Sequence, residues 1–63
     1  MVFAAFSQGV SSVLDWHENE DAAIRAFKKF AHERHQFSKE TCTCQIERGA
    51  EMRYNPDTGK AEA

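Results

Sequence analysis

The spacing of apolar residues divides this chain into thirds. In the middle third, residues 20–38, Ala23, Phe27, Phe30 and Phe37 fall on one side of a helix, with Ile24 and Ala31 at its margin, when successive residues are turned by about 100°. Asn19 supplies an N-cap, while Glu20 and Asp21 complement the positive end of the helix dipole. Lys39 falls near the negative end, and neither Gly nor Pro interrupts the run. Arg34 lies within the apolar stripe, so its stem is predicted to pack while its guanidinium reaches water.

The last third alternates with a period of two. Cys42, Cys44 and Ile46 interleave with Thr43, Gln45 and Glu47, and Met52 and Tyr54 interleave with Glu51 and Arg53. Arg48-Gly49 between the two runs reads as a hairpin turn, with the glycine available for a positive φ. Asn55-Pro56-Asp57-Thr58-Gly59 is a second turn signal, because proline presets φ and glycine tolerates a left-handed exit. Residues 60–63 then read as a frayed tail or a short edge, which leaves 1–59 as one compact domain.

The first third admits two readings. As strands, 2–7 and 10–16 form a hairpin across Gln8-Gly9. As a helix, Phe3, Phe6, Val10, Val13 and His17 show a 3-4-3-4 spacing. Gly9 and the β-branched valines weaken the helix, the glycine by up to about 1 kcal/mol. The strand reading is therefore preferred. The expected fold is α+β, one amphipathic helix packed on a small antiparallel sheet in the order β-β-α-β-β; an N-terminal helix in place of the first hairpin, α-α-β-β, is the alternative.

Size narrows the functional classes. At 63 residues the chain is one domain, and a domain this small buries only about 60% of the surface of its unfolded chain. That leaves little room for a deep substrate pocket beside a core. The composition, 41% hydrophobic and 29% charged, is that of a globular protein. No apolar run approaches the roughly 18 residues of a membrane span. The apolar stretch 1–10 lacks the basic start of a secretory signal and reads as part of the fold, so a cytoplasmic location is expected. Cys42 and Cys44 on a strand would share a face about 7 Å apart, too far for a disulfide; reduced, buried thiols are expected.

Net charge is −2, but it is segregated. Residues 22–39 hold five basic side chains against Glu33, a local +4, whereas the remainder carries −6. On the helix, Arg25, Lys28, Lys29, His32, His35 and Lys39 project within about 120° of one another, opposite the phenylalanine side. Such a stripe could follow phosphates or dock an acidic protein surface, or serve as a solvated face suited to the helix C-terminal end. The negative total charge and the lack of an aromatic within the stripe weigh against nucleic acid. Trp16 and Tyr54 are the other binding candidates, since both types concentrate at interface hot spots, although in so small a domain each is expected in the core.

Metal and catalytic chemistry find little support. His32 and His35 with Cys42 and Cys44 hold the inventory of a zinc site, but the histidines point away from the face the cysteines share with Ile46. No Gly-rich phosphate loop, serine elbow or metalloprotease motif occurs. No catalytic residue, metal or cofactor is expected.

The order strand, acidic cap, alanine-containing helix and hairpin ending in Tyr54-x-x-x-x-Gly59-Lys60 resembles short phage-encoded accessory proteins, among them host-takeover inhibitors and some anti-CRISPR proteins. The likeness rests on residues 19–30 and 54–60 and assigns no functional residue. It implies a compact inhibitor of a larger host assembly, acting in the host cytoplasm. The expected function is thus a protein-binding module, an inhibitor or regulator, working through the helix or a hairpin edge; nucleic-acid binding by the basic helix face is the alternative. Residual apolar surface in so short a chain also admits a homodimer.

Overall fold

The computed structural model describes residues 1–49 and 51–63. Five strands and one helix follow in the order β1 (Val2–Gln8), β2 (Ser11–His17), α1 (Glu20–Phe37), β3 (Cys42–Ile46), β4 (Glu51–Asn55) and β5 (Lys60–Glu62). The strands form a single antiparallel sheet ordered β2-β1-β3-β4-β5. The fold is α+β, and the first third of the chain is the hairpin, not the alternative helix.

Gly9, at φ +56, makes that hairpin possible. Gln8 pairs with Ser11 across a two-residue loop, and a loop with positive φ only at its first residue is a type II′ turn, where glycine is favoured. The helix begins as its cap signals require. The Asn19 side chain accepts a hydrogen bond from the Ala22 N–H at 2.8 Å, and the Ser38 N–H closes the far end on the Arg34 carbonyl.

Alternation along β1 sorts the side chains. Ala4, Phe6 and Gln8 point under the helix and are buried, while Phe3, Ala5 and Ser7 point to the opposite face. Cys42, Cys44 and Ile46 on β3 join the first set. From above, Ala23, Phe27 and Ala31 close the core, and the two small alanines let the helix approach the sheet on either side of the fully buried Phe27. Phe6 lies 5.5 Å from Phe27 and 5.6 Å from Phe30, ring centre to ring centre. Tyr54 meets Phe27 edge-on at 6.5 Å. The Arg34 guanidinium lies 5.0 Å over the Phe30 ring, which keeps the charge at the surface while the stem packs.

Three local expectations change. Phe37, placed by periodicity on the core stripe, is 85% exposed, because it is the last helical residue. Residues 60–62 are not a frayed tail but an edge strand, with Tyr54 opposite Ala61 and Arg53 opposite Glu62. Between β3 and β4 the residue with positive φ is Arg48, at +61, and not Gly49. The Gly49 N–H donates to the Ile46 carbonyl at 2.8 Å, so Arg48 holds the third position of a four-residue turn, the one a type II turn reserves for glycine. The Asn55–Gly59 turn forms as expected, Gly59 taking φ +70 and donating to the Asn55 carbonyl.

Two stability measurements test this packing. Phe27→Ala should lose roughly 3–5 kcal/mol, enough to unfold so small a domain at room temperature; an unshifted melting curve would refute its central place. Arg48→Gly should instead stabilise by about 1 kcal/mol through relief of the left-handed conformation, and thermal denaturation should show it as a raised Tm.

Candidate protein-binding surface

The helix stripe and Trp16 lie on opposite sides of the molecule, with Tyr54 between helix and sheet. On the outer face of α1, Arg25, Lys29, His32 and His35 are exposed, Lys28 is half-buried, and Lys39 follows in the exposed loop. His32 is turned along the helix, its Nε2 3.3 Å from the Gln36 amide nitrogen. The basic stripe is therefore real as geometry, and it faces away from the sheet.

Trp16 and Tyr54, grouped in the sequence as core aromatics, part company. Tyr54 is half-buried on the helix side, where it supports Phe27. Trp16 is on the other face of the sheet and 54% exposed. It pairs with Phe3 across the β1–β2 ladder, the rings meeting edge-on at 5.2 Å. Leu14, two residues along β2, is 61% exposed on the same face. Nothing in the 3-4 spacing of the first third marks this group. The period-two reading does, since Leu14 and Trp16 alternate with Val13 and Asp15, but it leaves open which face the helix covers.

This open face carries a cleft of about 490 Å³ bounded by Phe3, Ala5, Trp16, Gln45 and the Ile46–Gly49 turn. Its lining is mostly apolar, and the turn that strains Arg48 adds Glu47 and Arg48 to it. Farther across the sheet the face becomes polar, with Glu51 and Arg53 on β4 and Lys60 and Glu62 on β5. Acidic and basic groups balance there, which gives the face no field of one sign.

The cysteines and histidines do not converge. Cys42 and Cys44 are free and buried beneath the helix, whereas His32 and His35 are on its exposed side. Among the described residues no three His, Cys, Asp or Glu side chains gather as a metal site. Burial pushes the Cys44 thiol up to about 11; it also raises Cys42, against the pull of the nearby Arg34 guanidinium. The His17 ring stacks on Phe6 at 5.5 Å. The Nε2 atoms of His17 and Gln8 are buried without a hydrogen-bond partner, and neither residue lines the cleft. No helix among the described residues is long and apolar enough to cross a membrane.

No known protein family, curated protein or solved structure matches the chain.

The buried thiols give a direct check on the sheet's covered face. A raised thiol pKa means the fold prefers the protonated form, so this contribution to stability is intact below the ordinary thiol value near 9.0 and is lost as pH climbs toward about 11. Thiolate absorbance of the native protein should accordingly rise at higher pH than that of the unfolded chain. A native titration that coincides with the unfolded one would place the cysteines outside the core.

Proposed function

We propose that this chain is a small protein-binding module, an inhibitor or regulator of a larger protein or nucleoprotein assembly, which docks through the open face of its sheet at β1 and β2. The observation that carries this reading is the pair of exposed side chains Leu14 and Trp16, with the half-buried Phe3 packed on Trp16, beside the cleft. Monomeric proteins seldom leave large neighbouring apolar side chains uncovered without use. Tryptophan is also the residue type most often dominant in binding energy, since it brings large area and an indole N–H together. Arg48 and Glu47 in the cleft lining would fix orientation by polar contacts, while Trp16 supplies the anchor.

Nucleic-acid binding by the basic helix face is the second reading, and the placement of the aromatics argues against it. A single-strand site joins basic side chains to stacking rings on one surface. Here the basic stripe is outside the helix while Trp16 is beyond the sheet, and Phe37, exposed at the helix end, is a single ring that offers no platform for successive bases. A balanced open face and a net charge of −2 add no long-range attraction for phosphates.

The readings separate by variant. Trp16→Ala should abolish capture of a protein partner from host lysate, a loss of about 2 kcal/mol or more, while circular dichroism shows an intact fold. Joint replacement of Arg25, Lys28 and Lys29 should leave that capture largely unchanged, and nuclease treatment should not affect it. Capture that is lost with the basic residues or with nuclease, and kept by Trp16→Ala, would exchange the two readings. Random duplex DNA should bind weakly at physiological salt.

A further inference from the structure

Strand β2 is an edge whose backbone groups are committed on one side only. The Glu47 N–H donates to the Phe3 carbonyl across the β1–β3 seam. Antiparallel ladders alternate direction residue by residue, so Phe3, Ala5 and Ser7 send their backbone groups to β3, and Ala4, Phe6 and Gln8 send theirs to β2. The β2 residues opposite those last three are Asp15, Val13 and Ser11. Ser12, Leu14 and Trp16 therefore aim their N–H and C=O groups off the sheet. The Trp16 N–H is already held by the Asp15 carboxylate at 2.8 Å; among the described residues the outward groups of Ser12 and Leu14 have no such local partner. The far edge differs. β5 is three residues long and bears Lys60 and Glu62, the short charged form that discourages pairing. β2 is seven residues long, has no lysine, and leaves Val13 40% and Leu14 61% exposed.

We infer that β2 pairs antiparallel with the β2 strand of a second copy of this chain, with Val13 on the two-fold axis and Ser12 facing Leu14 of the other copy. Outward-aimed residues must meet outward-aimed residues, which leaves three registers with good overlap, centred on Val13, Leu14 or Asp15. The charge pattern chooses among them. Centring on Asp15 sets the two carboxylates directly opposite at the closest spacing of a ladder, about 4.5 Å between Cα atoms. Centring on Leu14 requires the Trp16 N–H for the second copy, displaces Asp15 from it, and leaves the carboxylates on a diagonal about 7–8 Å apart. Centring on Val13 keeps the Trp16–Asp15 bond and sets the Ser11 hydroxyl, a donor, opposite the Asp15 carboxylate. It also moves the two carboxylates four residues apart, about 14 Å along the strands.

In that register Ser12 and Leu14 exchange both backbone bonds on each side of the axis. Val13 packs on its own copy, and Trp16 lies beside the exposed Val10 turn. The two five-stranded sheets become one, with both helices on the same side. The open faces stay accessible, so this association is independent of the docking proposed above and would set two Trp16 clefts side by side. A standard interface covers about 800 Å² of each partner, nearly a fifth of the 4498 Å² this chain exposes. One strand edge covers less, so the pairing belongs to the weak class, populated at micromolar to millimolar protein.

Cysteine cross-linking reads the register. Two Val13→Cys residues on the axis would stand about 4.5 Å apart between Cα atoms, within disulfide reach, whereas two Leu14→Cys residues would be offset along the strands beyond it. Mild oxidation of the purified chain should therefore link Val13→Cys into a covalent dimer and leave Leu14→Cys at the low background of the native chain, whose own thiols are buried. Sedimentation equilibrium of the native chain should show a reversible monomer–dimer equilibrium. Val13→Lys, which opposes two ammonium groups on the axis, should weaken it at least tenfold with an unchanged helical circular-dichroism signal. Cross-linking of Leu14→Cys in preference to Val13→Cys would overturn the register. A native chain that stays monomeric at every concentration, or a folded Val13→Lys that associates as the native chain does, would overturn the pairing itself.

Discussion

The contact between Phe6 and Phe27 is the one on which the remaining structure depends. Phe6 sits on β1, which is hydrogen-bonded on both sides, and its ring also touches Phe30 and stacks with His17. Phe27 is fully buried above it, flanked along the helix by Ala23 and Ala31. Large rings in the centre and alanines beside them hold the helix close over β1 and β3. A chain of this length has little other apolar area to bury, so loss of this contact removes the reason for the helix to lie on the sheet at all.

The same economy creates the exposed surface. One helix covers one face of a sheet, and five strands have two. Because β1 alternates strictly, seating Phe6 under the helix turns Phe3 the other way, and the pairing of β1 with β2 carries Trp16 and Leu14 with it. These side chains are uncovered because no second layer exists, and an apolar face without a layer of its own suits a partner's surface. The outer edge of β2 is bare for a related reason. The strand order places β2 at the margin of the sheet, where Asp15 occupies a single outward N–H and no charged side chain shields Ser12 or Leu14. Face and edge are perpendicular surfaces, so one chain could use both at once. Electrostatics adds a third element: the basic stripe lies on the outside of the helix, so pairing through β2 would bring two such stripes to one side of the assembly.

The cap at Asn19, the helix over Glu20–Phe37, the cysteines under that helix and the turn at Gly59 were all legible from local signals. Each depends on contacts within a few residues or on a periodicity that only one secondary structure satisfies. The hairpin of the first third was harder to read, because Phe3, Phe6, Val10 and Val13 fit a helical spacing as well as a strand. Gly9 decides it, at φ +56 in a two-residue turn. Arg48 was not legible: the glycine beside it invites the positive φ, yet the pairing of β3 with β4 sets the turn one residue earlier.

The sequence by itself determined the helix with its cap, the hairpin of the last third and the inward row of β3, since periodicity and capping act over a few residues. Tertiary structure alone decided which face of the first hairpin the helix would cover, and with it whether Trp16 would be core or surface. A period of two states that side chains alternate, not which set faces the helix. That choice was made by Phe6, whose ring fits against Phe27 and Phe30 while Phe3 is left to pair with Trp16 on the open side. Phe37 follows the same logic, for a helical stripe is buried only as far as there is sheet beneath it.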